Sequence, residues 1–525
     1  MTARETKSSP NVLLIVADQW RGDTLGCVGH QHVKTPNLDA LAARGVTFTR
    51  HYAQCCPCGP ARASLLTGTY MMTHRVVRNG VPLNSRLQTL PRLARTAGYE
   101  PTLIGYTTTT PDPRDTPASD PRFDVPGHIM EGWSELGSFA PEKRPYLTWL
   151  AANGYDVPKD KPTEIWSPQE EETAQPGRGP THAPSRIHKD HSDTAWFADK
   201  ALQFLSLPHE RPWLMHLGFY RPHPPFIAPE PYHSMYDAAA MDAPIRARSA
   251  ADQADQHPLL SYVLATKKKS SFFNHGTGLA SEITEDEARQ IRATYYGLIS
   301  EVDDQIGRVI AKLEENGQID NTLIVFTSDH GEQLGDHYMF GKQGYFDPSY
   351  HVPLIIVDPR ETANASRGAK IDRFTESVDI LPTLLEWMQM PVPRQCDGLS
   401  LMPFLRGDSD ERWRKHVHYE YDFREIRSSA AQSFLGLELD ECMLAVIQDE
   451  KCKYVHFAGG LPPLFFDLEN DPAQLRDLAA DPAYQSQILN YARAMLDWRL
   501  MHADRTLTAI EAGPGGLFDR SATIK

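Results

Sequence analysis

Two runs of this chain read as strands buried on both faces. Residues 11–17 (NVLLIVA) and 321–328 (NTLIVFTS) are continuous, rich in β-branched side chains and free of charge. That is the pattern of strands in a parallel sheet covered by helices on either side. Each run ends on acid: Asp18 and Gln19 follow the first, and Asp329, His330, Gly331 and Glu332 follow the second. Ligands of open α/β sheets bind at the carboxyl edge of the strands. Two strands that each deliver an aspartate there predict a metal site across them, against the plainer reading of Asp18 as a solvated turn residue.

The rest of the chain fits such a sheet. Residues 36–44 and 89–97 read as helices stopped by Gly45 and Gly98, and 101–106, 212–219 and 352–357 as further strands. Thr284 and Glu287 form a capping box, after which Ile291, Tyr295, Leu298, Val302, Ile306, Val309 and Leu313 keep helical spacing up to Asn316-Gly317. Another helix is expected around 379–388. Residues 111–192, rich in Pro, Asp, Gly and His, read as long surface loops, and Lys267 to Lys269 as a solvated loop. Past Pro391, runs at 416–422, 443–447 and 453–457 have no helices between them and predict a small antiparallel sheet. Residues 464–471 and a helix near 485–501 follow. From about 505 the chain is a tail, either an arm for subunit contact or a frayed terminus. The expected fold is α/β: a large, mostly parallel sheet flanked by helices, residues 1–390, with a smaller C-terminal antiparallel subdomain, residues 391–525.

Charge and cysteine usage narrow the partners. A formal charge of −15 over 525 residues excludes a general binder of nucleic acid or acidic membranes, so an anionic substrate must be small and meet a local positive pocket. Seven cysteines, an odd number with three crowded together, fit a reducing compartment better than a disulfide framework. The polar start and the short first apolar run offer neither a signal sequence nor a span; the expected location is the cytoplasm.

The crowded cysteines, Cys55-Cys56-Pro57-Cys58-Gly59-Pro60-Ala61-Arg62 and then ASLLTG, allow a disulfide, a zinc site or buried packing thiols. Cys396, Cys442 and Cys452 offer no second Cys-x-x-Cys for zinc, and Cys55 and Cys56 read as small buried hydrophobes. The frame Cys58-x-Pro-x-Arg62 sits at the start of a helix, where the dipole favours negative charge. Pro222 and Pro224 flank His223 in Arg221-Pro-His223-Pro-Pro-Phe226 and aim its imidazole, although a structural histidine bonded to a carbonyl would look the same.

From about residue 10 to 500 the chain resembles the sulfatase family of the alkaline phosphatase superfamily. The likeness is densest at Asp18-Gln19, Cys58 to Gly68, Asp329-His330-Gly331, Gly341-Lys342 and 464–471. It implies that Cys58 is oxidised to Cα-formylglycine by a separate formylglycine-generating activity. Cys55, with Gly59 where the arginine belongs, and Cys56, with Cys58 where the proline belongs, do not fit. It also implies one divalent cation, with Mn²⁺ or Ca²⁺ favoured over Mg²⁺ or Zn²⁺, on Asp18, Cys58, Asp329 and His330. Several positions depart from ordinary sulfatases: Gln19 replaces an Asp, His330 an Asn, and Tyr106 and Thr108 a Lys and a His. With Asn79, the His223 turn and Phe340-Gly-Lys342, these make the chain similar to the phosphonate monoester hydrolases, which also cleave phosphodiesters and, more weakly, sulfate and phosphate esters.

That resemblance assigns Cys58, Arg62, His223 and Lys342 to catalysis, lines the pocket with Gln19, Asn79, Tyr106 and Thr108, and implies a homo-oligomer, a tetramer. Loss of a pocket lysine leans toward a monoanionic ester, while loss of an Asp to Gln19 shifts the charge the other way. The rivals are an arylsulfatase, a phosphatase using an unmodified Ser or Thr, which would leave the cysteine frame without purpose, and a non-catalytic metal- and anion-binding scaffold. A scaffold has no need of both a metal site and a nucleophile frame.

Overall fold

Strand β1 (Asn11–Asp18) is buried along its whole length, and the reason is its place at the centre of a computed structural model that describes residues 10–520 apart from 126, 141, 169–180 and 409–410. It pairs in parallel with β6 (Trp213–Pro222) on one side and β7 (Thr322–Ser328) on the other. The sheet continues through β4 (Glu100–Gly105) and β5 (Ser134–Ser138) at one edge. At the other it runs through β8 (Leu354–Val357), β2 (Val46–Tyr52) and β9 (Ala369–Glu376), in the order β5-β4-β6-β1-β7-β8-β2-β9. Only β8 runs against its neighbours, so the mostly parallel sheet expected from the sequence is present.

Alternate residues of β1 feed two cores. Leu13, Ile15 and Ala17 pack with the helices Pro36–Arg44, Asp193–Leu205 and Glu285–Glu315, while Val12, Leu14 and Val16 pack with Cys58–Thr67, Leu90–Thr96 and Ile380–Trp387. Period-2 alternation with both faces apolar is what a covered strand requires. The long helix starts on its capping box: Glu287 N–H donates to Thr284 Oγ1 at 3.2 Å and Thr284 N–H to Glu287 Oε2 at 2.9 Å.

The second sheet holds β10 (Val417–Asp422), β11 (Met443–Gln448), β12 (Cys452–Phe457) and β13 (Leu464–Asp467), all antiparallel. Its last strand was not foreseen. β3 (Cys55–Cys56) pairs in parallel with β10 through Cys55↔Glu420 and Cys56↔Tyr421, so the segment leading to Cys58 is itself a strand of the C-terminal sheet. Helix Gln485–Met501 packs Met495 and Trp498 onto this sheet.

Several expectations need correction. The loops of 111–192 contain β5 and the helix Arg144–Ala152, and the helix Asp193–Leu205 directly after them was missed, although Trp196, Phe197, Ala201, Phe204 and Leu205 lie at helical spacing. The lysine run is not simply solvated: Lys267 is partly buried over Phe272, and Lys269 pairs with Glu287 at 3.7 Å. The tail carries an exposed hairpin, Ile510–Gly513 with Gly516–Asp519, which neither alternative specified. Among the described residues no helix is long and apolar enough to cross a membrane.

Candidate active site

Register brings the acids together. Ala17 of β1 faces Ser328 of β7, so Asp18 and Asp329, the next residues, come side by side at the carboxyl edge. Gly331 makes the following turn possible: a Cβ there would lie 2.0 Å from the Pro348 carbonyl oxygen, and its own N–H donates to Ser349 O at 2.8 Å. Cys58 enters from the other layer as the first residue of a helix buried at all ten positions. Its Sγ lies 3.6 Å from Asp18 Oδ1, 3.1 Å from His330 Nε2 and 3.5 Å from Lys342 Nζ.

The donor set suits a divalent cation. One ligand atom from each of Asp18, Cys58, Asp329 and His330 lies within 4.8 Å of the others, and all four residues are buried. His330 Nδ1 is 3.1 Å from the Gly331 carbonyl, which can only accept, so the proton sits on Nδ1 and the Nε2 lone pair faces the cluster. Burial, partly opposed by Asp329, holds the His330 pKa down and keeps the ring neutral, as ligation requires.

Two cations face the acids. Arg62 Nε donates to Asp329 Oδ2 at 2.9 Å, one amino group reaches Asp18 Oδ2 at 3.2 Å and the other donates to the Tyr106 carbonyl. Its guanidinium lies 4.1 Å from the Tyr106 ring centroid, and the Tyr106 hydroxyl donates to Asp18 Oδ2 at 2.6 Å. Burial pushes Asp18 up, but Lys342, Arg62, His330 and Tyr106 outweigh it and hold the carboxyl below its ordinary value. Lys342 Nζ donates to Gln19 Oε1 at 2.6 Å; burial would lower this lysine, yet the Cys58, Asp18, Asp329 and Glu332 charges raise it.

Gln19 is fixed from its other end by Glu332, which accepts from its amide Nε2 as well as from Leu334 N–H at 3.0 Å and Gly341 N–H at 2.5 Å. Glu332 was read in sequence only as part of an acidic turn. Its role shows once Gln19, 313 positions away, is beside it.

The remaining expected residues sit around this cluster. Asn79 Oδ1 accepts from Gly59 N–H at 2.7 Å and so anchors the first turn of the helix that begins at Cys58. Thr108, half-buried with φ 53°, passes its carbonyl close to the same glycine. His223 Nδ1 donates to the Pro224 carbonyl at 2.7 Å, and its ring lies tilted against Tyr220 with centroids 4.7 Å apart. Burial first, then Lys342, pull the His223 pKa well down, against the Pro224 bond. Arg221 holds this turn by donating to the carbonyls of His223 at 3.1 Å and Pro225 at 2.7 Å. Beside Lys342 lies a cavity of about 210 Å³ lined by Cys56, Arg78, Tyr262, Lys267 and Tyr421.

The likeness to known proteins runs the length of the chain. A sulfatase family model matches residues 10–390, and one for the C-terminal part of N-sulphoglucosamine sulphohydrolase matches 335–500. The multifunctional alkaline phosphatase superfamily protein PehA of Trinickia caryophylli is 50% identical over 97% of this chain and 99% of its own. The crystal structure of the phosphonate monoester hydrolase of Agrobacterium radiobacter superposes with a TM-score of 0.92 at 44% identity, covering 97% of this chain and 99% of that one. The phosphonate monoester hydrolase from Silicibacter pomeroyi gives 0.91 at 36% identity, covering 98% and 99%. With its acids at one sheet edge and its cysteine frame at the start of a buried helix, this chain belongs to the sulfatase family.

Proposed function

We propose that this protein is a metal-dependent hydrolase of phosphonate monoesters and phosphodiesters, with weaker activity on sulfate and phosphate esters. The observation that carries this reading is the charge of the site. Burial pushes the Glu332 carboxyl up, but all three of its partners donate to it, so it counts as a carboxylate. Asp18, Asp329 and Glu332 then carry three negative charges against two positive ones on Arg62 and Lys342. A divalent cation turns the net charge from one negative to one positive, which a single monoanionic ester neutralises. Two solved structures that superpose closely on this chain are phosphonate monoester hydrolases, and phosphonate monoesters and phosphodiesters are monoanions.

Asp18, Asp329, His330 and position 58 would hold the cation, which when bound lowers the pKa of the nucleophile and neutralises phosphoryl oxygen charge; Mn²⁺ or Ca²⁺ suits the oxygen-rich set best, with Mg²⁺ and Zn²⁺ as alternatives. Formylglycine at position 58 supplies a hydrated aldehyde as the attacking group. Arg62 holds both aspartates in place, and Lys342, beside Cys58 Sγ, is positioned for an ester oxygen. His223 serves the leaving-group side, Gln19 presents its carbonyl oxygen inward, and Asn79, Tyr106 and Thr108 shape the walls. We further read 1–390 as the catalytic part and 391–525 as its subdomain, and place the protein in the cytoplasm as a homo-oligomer, a tetramer, matured by a formylglycine-generating activity. All seven thiols are unpaired, which supports a reducing location.

The test is a panel of esters of one alcohol, a phosphonate monoester, phosphodiester, phosphate and sulfate, assayed with metal-loaded enzyme. The first two should have the highest kcat/KM. A sulfate in first place would make the protein an arylsulfatase, and no turnover of any ester a binding scaffold. Mass spectrometry of the peptide spanning Cys58 should find formylglycine in active protein, and Cys58→Ala should lose about three orders of magnitude or more in kcat. Only unmodified thiol in fully active enzyme would sink the nucleophile assignment.

A further inference from the structure

Lys143 is not among the residues that the sequence points to, and its surroundings are unusual. Its Nζ lies 4.0 Å from the ring centroid of Tyr220, 4.4 Å from Trp166 and 5.3 Å from Phe139. The cage adjoins the reacting centre: Tyr220 packs against His223, and Phe139 lies 5.9 Å from Tyr106, whose hydroxyl bonds Asp18. The charges of Lys143 and Asp18 act on one another, and that of Lys143 acts on His223.

Among the described residues this ammonium has no carboxylate within ion-pair reach. The acid that acts on it most strongly, Asp193, is committed elsewhere: it lies 3.3 Å from Arg221 and accepts from Trp166 Nε1 at 2.8 Å. Arg144, the next cation along, is neutralised by Glu142 at 2.7 Å. The backbone that presents Lys143 is strained, with left-handed φ of 52° at Glu142 and 61° at Lys143. Two successive non-glycine residues there are disfavoured and persist only when the surroundings enforce them. Ring faces offset part of the lost hydration of a cation but leave its charge uncompensated. Burial accordingly lowers the Lys143 pKa to about 8, with Asp193 and Asp18 raising it and Arg221 lowering it.

We propose that Lys143 is a second anion-binding cation of this site and takes an acidic group on the leaving alcohol of the ester. The inference rests on the ester-hydrolase reading and extends it to substrate class: the inner charges are neutralised by one phosphoryl monoanion, which leaves Lys143 for a second negative charge on the His223 side. The cage rings supply an apolar wall for the arm between the two.

The experiment compares phenylphosphonate esters of 4-hydroxybenzoate and 4-hydroxybenzamide on metal-loaded wild type, Lys143→Met and Lys143→Arg. Dividing the carboxylate-to-carboxamide ratio of kcat/KM in each variant by that of wild type cancels the intrinsic reactivity of the two leaving groups. The ratio should fall about tenfold in Lys143→Met, the worth of one charge-assisted contact, and be largely kept in Lys143→Arg. An unchanged ratio in Lys143→Met would overturn the proposal. Should wild type hydrolyse neither ester, the hydrolase reading fails by itself, and calorimetric binding of the carboxylated ester still decides on Lys143. About tenfold weaker binding to Lys143→Met supports the site, and equal binding rejects it.

Discussion

His223 is neutral in the free protein, because burial and Lys342 hold its pKa well down against the opposing hydrogen bond from Nδ1–H to the Pro224 carbonyl. It can serve as an acid only once an anion beside it offsets Lys342 and lets Nε2 take a proton. Proton donation matters most for poor leaving groups. His223→Ala should therefore slow esters of alkyl alcohols by about two to three orders of magnitude, and nitrophenyl esters far less, with metal content unchanged. Equal losses across leaving groups of widely different pKa, also in the double variant with Lys342→Ala, would reduce His223 to a positioning role. At this scale the sequence was legible where a residue's meaning is local. Asp18, Asp329 and His330 stand at strand ends, and Cys58 and Arg62 share one helix turn. Glu332, Tyr220 and Lys143 were not legible, because each acquires its meaning from partners far away in the chain.

The helix Glu285–Glu315 carries an acid whose pKa its packing distorts. Burial pushes Glu301 up to about 8; the Ser192 hydroxyl opposes this, Asp193 adds to it and Arg221 opposes it. Glu301 Oε1 has no hydrogen-bond partner among the described residues. A raised carboxyl keeps in the folded chain a proton that the unfolded chain has lost. Its contribution to stability is whole below about pH 4.5 and falls away as pH rises through about 8. Glu301→Gln stays neutral and should raise Tm over wild type at pH 9 while changing it little at pH 5; an equal shift at both would refute a buried protonated acid. Elements showed themselves in sequence when their caps and periodicity agreed, as at Thr284 and Glu287. The helix Asp193–Leu205 was hidden behind a Pro- and His-rich approach, and β9 by charged, exposed residues at its start, since an edge strand need not be apolar.

Across the whole molecule the acids at the edge of the large sheet meet without a full set of cations, so metal should contribute to stability as well as to turnover. Chelation should abolish activity reversibly and lower Tm by a few degrees, the effect of losing a ligand held about a hundredfold above its Kd. Asp329→Ala should lose the metal by elemental analysis, and an unchanged content per chain would move the site elsewhere. The two-sheet plan was legible from where helices stop alternating with strands. The junction was not, because β3 is two residues long and its partner lies hundreds of residues away. That junction has a consequence in time. On a ribosome, the strand that leads into Cys58 cannot close until Glu420 and Tyr421 have emerged, roughly tens of seconds later. Under the proposed maturation, Cys58 is thus made early and enclosed late, and the length of message downstream sets how long a modifying enzyme has to reach it.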